Sequence, residues 1–296
     1  MDESLVVYMN GDYIPADQAS ISIFDYGFLR GDTVYDTTSA WGGWIFKLDA
    51  HVERLFDSLR AVQLEIPLSA DELKDAMVET TRRCGLKEAY IKCLVTRGRP
   101  QEGVRDLRSC VPNLIIFVTP YVWILPPEKF ETGARVNIAS VRSIPPQSLD
   151  PRIKSVSRLH FDLASLETYA AGMDETLMLD LDGHVTEGPG FNVFMVKNDT
   201  LYTPPAGILR GITRETVMEL AVEAGLDMQV TPLTAYDLLA ADEVFLSSTA
   251  GGIMPVVEIE GRRIGDGQVG RVTRTLHEQY WAMRESGRHG TPIFPD

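Results

Sequence analysis

The chain predicts an α+β fold with largely antiparallel strand pairing, and two observations predict it. Hairpin-turn dipeptides separate apolar runs at Asn10-Gly11, Asp182-Gly183 and Glu260-Gly261. Helical apolar spacing recurs irregularly and not after every strand, which argues against a doubly wound parallel sheet. No internal repeat is present. The 296 residues suffice for one large domain or two modest ones. The pattern weakens around Pro126-Pro127, so residues 125–132 are expected to link a segment 1–124 to a segment 133–296.

Val6–Met9 and Tyr13–Ile14 flank Asn10-Gly11 as a hairpin, because Asn and Gly tolerate the positive φ of its turn. Val34–Ser39 and Trp44–Leu48 read as strands around Gly42-Gly43. Asp49 is expected to cap a helix in which Val52, Leu55, Phe56, Leu59 and Val62 recur at helical spacing. Ser69 and Glu72 form a capping box for a second helix, closed by Gly85. Tyr90–Thr96 and Leu114–Thr119 are apolar strands joined by a polar, Arg-rich loop, Gly98–Cys110. Beyond the linker come a strand at Arg135–Ser140, a Pro-rich loop at Ile144–Pro151 and a helix from Arg158 to Ala171. Glu175–Leu181 and the run from Val185 to Val196 are expected to pair across Asp182-Gly183. Thr213 caps a helix running to Gly225, and Glu243–Ser247 is a strand. Val256–Ile264 is a hairpin, and Val272–Arg284 is the last helix.

Composition narrows the function. The net charge of −14, from 28 basic and 42 acidic residues, argues against a nucleic-acid partner, whose phosphates need a basic surface. Cys84, Cys93 and Cys110 follow no metal-like spacing and no disulfide framework. The five histidines include no metal-binding spacing, so no metal is expected. Met1-Asp2-Glu3-Ser4 lacks the basic start of a signal peptide. The most apolar stretch, Asn113–Pro127, is broken by Thr119, Pro120 and Pro126-Pro127, and reads as buried strand instead of membrane span. The expected location is the cytoplasm.

An ordered set of segments carries the chemistry. Lys154 precedes Thr186-Glu187-Gly188-Pro189-Gly190-Phe191-Asn192, followed by Gly211-Ile212-Thr213-Arg214 and Ser248-Thr249-Ala250-Gly251-Gly252. A pyridoxal-phosphate enzyme needs an amine for the aldehyde, an acid beside the pyridine nitrogen, and hydroxyl and N–H groups around the phosphate. Taken singly, a lysine is more often solvated, a Glu before glycines is as often a turn residue, and a helix-opening Thr is more often a plain cap. Together they supply the amine (Lys154), the acid (Glu187) and two anion-binding segments, one of them at a helix start. Arg54 is a candidate counter-charge. Gly265-Asp266-Gly267-Gln268-Val269-Gly270 matches a dinucleotide fingerprint in spacing, but too little chain follows for the βαβ unit that it requires. No G-x-S-x-G elbow is present.

With these motifs the chain resembles the class IV, fold-type IV aminotransferases over nearly its whole length, from Met9-Asn10-Gly11 to Tyr280-Trp281-Ala282-Met283. The resemblance implies a small N-terminal α/β domain, a larger and mostly antiparallel C-terminal β domain with helices, and a homodimer with sites near the subunit interface. It implies pyridoxal 5'-phosphate as cofactor. Lys154 then resembles the Schiff-base lysine and Glu187 the pyridine-nitrogen partner. Arg54, in His51-Val52-Glu53-Arg54-Leu55, matches the phosphate-binding arginine, and Leu209 the residue packed on the ring. Ile212, Thr213, Thr249 and Ala250 match the phosphate cup. Arg30, Tyr35, Thr37, Tyr90, Lys92 and Arg105 fall at candidate substrate positions, with Arg30, Lys92 and Arg105 as cations for a carboxylate.

The implied reaction is ping-pong transfer of an amino group from a small-molecule amine or amino acid to a keto acid, with Lys154 moving the proton. Thr249-Ala250-Gly251-Gly252-Ile253-Met254-Pro255 and Pro120-Tyr121-Val122-Trp123 look most like (R)-selective amine transaminases, which also suits D-amino acids. Thr37 and Ser39 replace the glycine and basic residue usual in branched-chain enzymes. Tyr90-Ile91-Lys92 and Asp150-Pro151-Arg152-Ile153-Lys154 are similar to branched-chain aminotransferases, so an L-branched-chain enzyme using 2-oxoglutarate is the alternative. A D-amino-acid aminotransferase and an aminodeoxychorismate lyase-like enzyme come after it.

Overall fold

A computed structural model describes residues 5–294, so the targeting expectation drawn from Met1–Ser4 lies outside the described residues. In chain order the strands are β1 (Val6–Met9), β2 (Asp12–Pro15), β3 (Thr33–Trp41), β4 (Trp44–Phe46), β5 (Ala89–Arg99), β6 (Val111–Pro120), β7 (Ala134–Arg142) and β8 (Glu175–Leu179). They continue as β9 (Asn192–Lys197), β10 (Thr200–Thr203), β11 (Asp227–Val230), β12 (Glu243–Ser248), β13 (Gly252–Ile259), β14 (Arg262–Arg263) and β15 (Gly290–Pro292). The helices are α1 (Tyr26–Arg30), α2 (Leu48–Ala61), α3 (Ala70–Cys84), α4 (Lys129–Thr132), α5 (Leu159–Ala170), α6 (Ile212–Glu223), α7 (Ala235–Leu239) and α8 (Arg271–Glu285). The chain forms two compact units. The first runs to Val122 and includes Ile153–Ser157 and the chain from Arg284; the second holds Trp123–Arg152 and Arg158–Met283. Residues 125–132, the expected linker, contain α4 and the buried Leu125.

The first unit is built on a seven-stranded sheet in the order β15-β4-β3-β5-β6-β1-β2, with every neighbouring pair antiparallel. The Asn10-Gly11 hairpin forms, and both residues take positive φ (54° and 109°). Val34, Ile91, Cys93 and Ile116 on one sheet face meet Val52, Leu55 and Leu59 of α2 and Leu73 and Met77 of α3. Burying each such leucine contributes about 1.5–3 kcal/mol. The Ser69–Glu72 capping box forms as the spacing predicts, and Gly85 closes α3 in the left-handed conformation. The start of α2 differs from expectation. Lys47, at φ 46°, is its N-cap, and Asp49 lies in its first turn. There Asp49 faces the positive end of the helix dipole and accepts from Lys74 Nζ at 2.7 Å.

The second unit carries an eight-stranded sheet, β11-β10-β9-β12-β13-β7-β8, with β14 paired to β13. Its centre is antiparallel, while β7 runs parallel to both β13 and β8, and β11 parallel to β10. Val193, Met195, Val244 and Leu246 face its core; Phe194 and Phe245, in register on the other face, stack at 5.0 Å. The expected pairing across Asp182-Gly183 forms as far as Glu187: Leu179 bridges Val185, Thr186 N–H donates to Met178 C=O at 2.9 Å, and Met178 N–H donates to Glu187 C=O at 3.1 Å. Beyond it the chain bends at Gly188–Phe191, with Gly190 at φ 123°, and β9 pairs with β10 and β12 instead of β8. Helix α6 also starts earlier than expected. Gly211 is its N-cap and Thr213 its second residue. A Cβ at Gly211 would lie 2.1 Å from Asn192 Oδ1, so only glycine fits there. Among the described residues, no helix is long and apolar enough to cross a membrane.

Candidate active site

Lys154 and Arg54 belong to the first unit. Glu187, Leu209, Ile212, Thr213, Thr249 and Ala250 belong to the second. The strand order of the first sheet explains the placement of Lys154. Strand β4 covers only the Ala40–Trp41 end of β3. Residues 154–156 pair with the other end: Lys154 C=O accepts from Tyr35 N–H (2.8 Å), Ser155 bridges Val34, and Val156 N–H donates to Thr33 C=O (3.1 Å). On the other side, Lys154 N–H donates to Ser58 Oγ of α2 at 3.2 Å. The half-buried Lys154 is thus tied by its backbone to one strand and one helix. Its Nζ lies 4.8 Å from the Tyr35 ring centroid, and so does Lys92 Nζ.

Strand alternation builds the rest of this face. Tyr35, Thr37 and Ser39 project to one side of β3, opposite Leu94, Lys92 and Tyr90 of β5. The Thr37 hydroxyl is buried, with no hydrogen-bond partner among the described residues. Buried Arg284 donates to Ser39 C=O and Oγ at 3.2 and 3.1 Å. The fold therefore groups Tyr35, Thr37, Tyr90, Lys92 and Lys154. Arg30 lies over the ring of Tyr26 in its own helix, at 3.6 Å, and Arg105 stands exposed in the loop between β5 and β6.

Arg54 sits on the face of α2 that also carries His51 and Ser58, three and four residues away. Its Nε and Nη2 donate to the two oxygens of Asp36, at 2.7 and 2.9 Å. His51 Nδ1 lies 2.7 Å from Asp36 Oδ1, and the Thr37 N–H donates to the same oxygen at 2.7 Å. Burial pushes the Asp36 carboxyl up, but Arg54 and then His51 outweigh it and hold the group well below the usual carboxylate range. Burial pushes His51 down, against the pull of Asp36. An ionised carboxylate only accepts, so Nδ1 of His51 carries the proton. The sequence pattern does not single out Asp36 or His51. The alternation of β3 places Asp36 on the buried helix-facing side with Val34, Thr38 and Ala40, and a charge among these positions is its one signal.

In the second unit three segments meet at one end of the sheet. Glu187 is buried, and its Oε2 accepts from Leu209 N–H (2.9 Å) and Asn192 Nδ2 (3.2 Å). Asn192 Nδ2 also donates to Leu209 C=O at 3.0 Å. Gly188 is required by packing, since a Cβ there would lie 2.2 Å from the Phe191 ring. Leu209 leads into α6, where no side chain caps the first turn and Ile212 and Thr213 are buried. Such a helix start presents N–H donors to an anion. Thr249 and Ala250 form the tight turn from β12 into β13, in which Ser248 Oγ donates to Gly190 C=O at 2.8 Å and accepts from Ala250 N–H at 3.1 Å. The buried acid, the uncapped helix start and the hydroxyl-bearing turn form a donor set of the kind that a phosphorylated pyridine needs. Asn192, which orients Glu187, closes the Glu187 motif in sequence but is identified as part of the site only by its contacts.

The model of the family described as Amino-transferase class IV matches residues 33–259. A protein of Methanocaldococcus jannaschii, provisionally named a branched-chain-amino-acid aminotransferase, is 41% identical over 94% of this chain and 96% of its own length. The branched-chain-amino-acid aminotransferase of Pseudomonas aeruginosa is 32% identical over 95% of this chain and 94% of its own. The crystal structure of the branched-chain amino acid aminotransferase of the T.th. strain, with pyridoxamine 5'-phosphate, superposes with a TM-score of 0.93 at 31% identity, covering 98% of this chain and 99% of that one. That enzyme was also solved with N-(5'-phosphopyridoxyl)-L-glutamate and with 4-methylvaleric acid. The fold-type IV architecture and the ordered motifs agree with these matches, and the chain belongs to the class IV aminotransferases, the pyridoxal-phosphate enzymes that its motifs resemble.

Proposed function

We propose that this protein is an L-branched-chain amino acid aminotransferase with 2-oxoglutarate as amino acceptor. The observation that carries the reading is likeness over nearly the full chain to relatives and solved structures named for that activity. The (R)-amine reading rests on sequence motifs alone, with Thr37 and Ser39 on the β3 face as its structural counterpart. Bound pyridoxal 5'-phosphate supplies the aldehyde that receives the amino group and a protonated ring that draws electrons from the substrate carbon. The Lys154 amine holds that aldehyde and then carries the proton at the substrate carbon. The Glu187 carboxylate keeps the ring nitrogen protonated, and Leu209 packs on the ring. Arg54, the start of α6 at Ile212 and Thr213, and the Thr249–Ala250 turn hold the phosphate. Lys92, with Tyr35, Thr37 and Tyr90 around it, receives the acceptor's second carboxylate.

The test mixes the holoenzyme, without acceptor, with L-leucine, L-valine, D-alanine and (R)-1-phenylethylamine while the cofactor spectrum is recorded. Conversion by the L-amino acids is the expected result. Conversion by the (R)-amine alone overturns this reading in favour of the (R)-amine transaminase. Lys154→Ala is expected to remove the visible band of the bound cofactor, and full turnover by that variant overturns its role.

We further propose a cytoplasmic homodimer. The three free cysteines suit a reducing compartment. Each unit exposes large apolar side chains, among them Ile23, Phe24 and Phe28 in the first and Leu159, Leu163 and Leu166 in the second.

A further inference from the structure

We propose that Asp36 is a positioning residue for the cofactor's phosphate, acting through the guanidinium of Arg54. The inference rests on the reading of Arg54 as a phosphate-binding arginine. Asp36 lies on the face of β3 that packs against α2, where its neighbours by alternation are Val34 and Thr38. It is only 2% exposed. Its carboxylate accepts from Arg54 Nε and Nη2, from His51 Nδ1 and from Thr37 N–H, so both oxygens are engaged and the group cannot rotate. The two-point contact fixes the plane of the guanidinium and turns its opposite edge away from the strand.

A buried ion pair is weak evidence for a stabilising role, because an apolar pair of similar size does as well or better in a core. What the pair supplies is geometry. Residue 35, next to Asp36, holds the Lys154 segment through its N–H, and Ser58, one turn beyond Arg54, holds the Lys154 N–H. The same strand and the same helix thus set the amine at Lys154 and the cation at Arg54. His51 completes the clamp, since its Nδ1–H fills the space beside Arg54 on Oδ1.

The experiment compares binding of pyridoxal 5'-phosphate and of pyridoxal, which lacks the phosphate, to the apoenzyme by visible absorbance. Asp36→Asn is expected to weaken pyridoxal 5'-phosphate by roughly 10-fold or more while pyridoxal changes little, the size of losing one charge-assisted contact. A purely structural role would weaken both ligands alike, and that result overturns the proposal. Arg54→Gln is measured in parallel. If it leaves the ratio of the two affinities unchanged, the phosphate reading of Arg54 fails. If it narrows the ratio and Asp36→Asn does not, only the inference about Asp36 fails. Asp36→Asn in the Arg54→Gln background is expected to add no further narrowing; an additional loss of the same size overturns action through Arg54. Should Asp36→Asn not fold, Asp36→Glu keeps the charge and displaces the guanidinium by one methylene. It must also narrow the ratio, and an unchanged ratio overturns the proposal.

Discussion

Glu187 shows how much of this site depends on single hydrogen bonds. Its Oε2 is held by one backbone N–H and one side-chain amide, and the amide of Asn192 spans Glu187 and the Leu209 carbonyl. Two donors on one oxygen fix the carboxylate's plane, which is what a partner for a ring nitrogen requires. Asn192→Ala removes the side-chain donor and leaves the backbone one. The rate of the L-leucine half-reaction is expected to fall about 10- to 100-fold, the cost of losing a hydrogen bond to a charged group, with cofactor affinity changed far less. An unchanged rate in a variant with the wild-type melting temperature shows that Asn192 does not act through Glu187. Lys154, Glu187 and the cup segments were legible because their order along the chain is a pattern. Asp36 and Asn192 were not, because a lone Asp in a strand or Asn after a glycine run carries no periodicity. What marks them is a partner distant in sequence: Arg54, eighteen residues from Asp36, and Leu209, seventeen from Asn192.

Among the elements, β8 carries a titratable group at its first residue. Burial pushes the Glu175 carboxyl up to about 7, with Asp174 adding to the shift and the Thr176 N–H opposing it. The folded chain therefore keeps a proton between the ordinary Glu value of 4.5 and about 7 that the unfolded chain releases. Stability falls as pH rises through that window. Glu175→Gln has no proton to lose, so it is expected to melt about 2–4 °C above the wild type at pH 8 and level with it at pH 4. Equal shifts at the two pH values would assign the effect to packing instead. Elements with a local signal were legible: α3 through its capping box and Gly85, the first hairpin through Asn10-Gly11, β13–β14 through Glu260-Gly261. Elements set by distant partners were not. Strands β11 and β15 are four and three residues long and exist as strands through pairing with β10 and β4. Helix α6 is capped at Gly211 and not at Thr213, and residue 211 is a glycine because a Cβ there would meet Asn192 Oδ1 at 2.1 Å.

The whole molecule presents apolar surface that a lone chain leaves in water. Helix α5 turns Ala164 and Thr168 inward, with Ala164 against Ala139 and Met178. The other side carries Leu159, Leu163, Leu166 and Tyr169, which are 71%, 50%, 64% and 60% exposed. These four recur at helical spacing and form one stripe, and a helix apolar on both sides is a helix with a second partner. Leu5, Val7 and Ala16, by contrast, are covered within the first unit. Solution mass decides whether α5 is covered by a second copy. The wild type is expected at twice the chain mass of 32.9 kDa, and the double variant Leu163→Glu, Leu166→Glu at the single-chain mass. Charges placed in a buried apolar interface cost several kcal/mol, enough to separate the copies at micromolar concentration. A wild type already at 32.9 kDa would refute the homodimer, and a double variant that stays dimeric would move the interface off α5, to a surface such as the one bearing Ile23, Phe24 and Phe28.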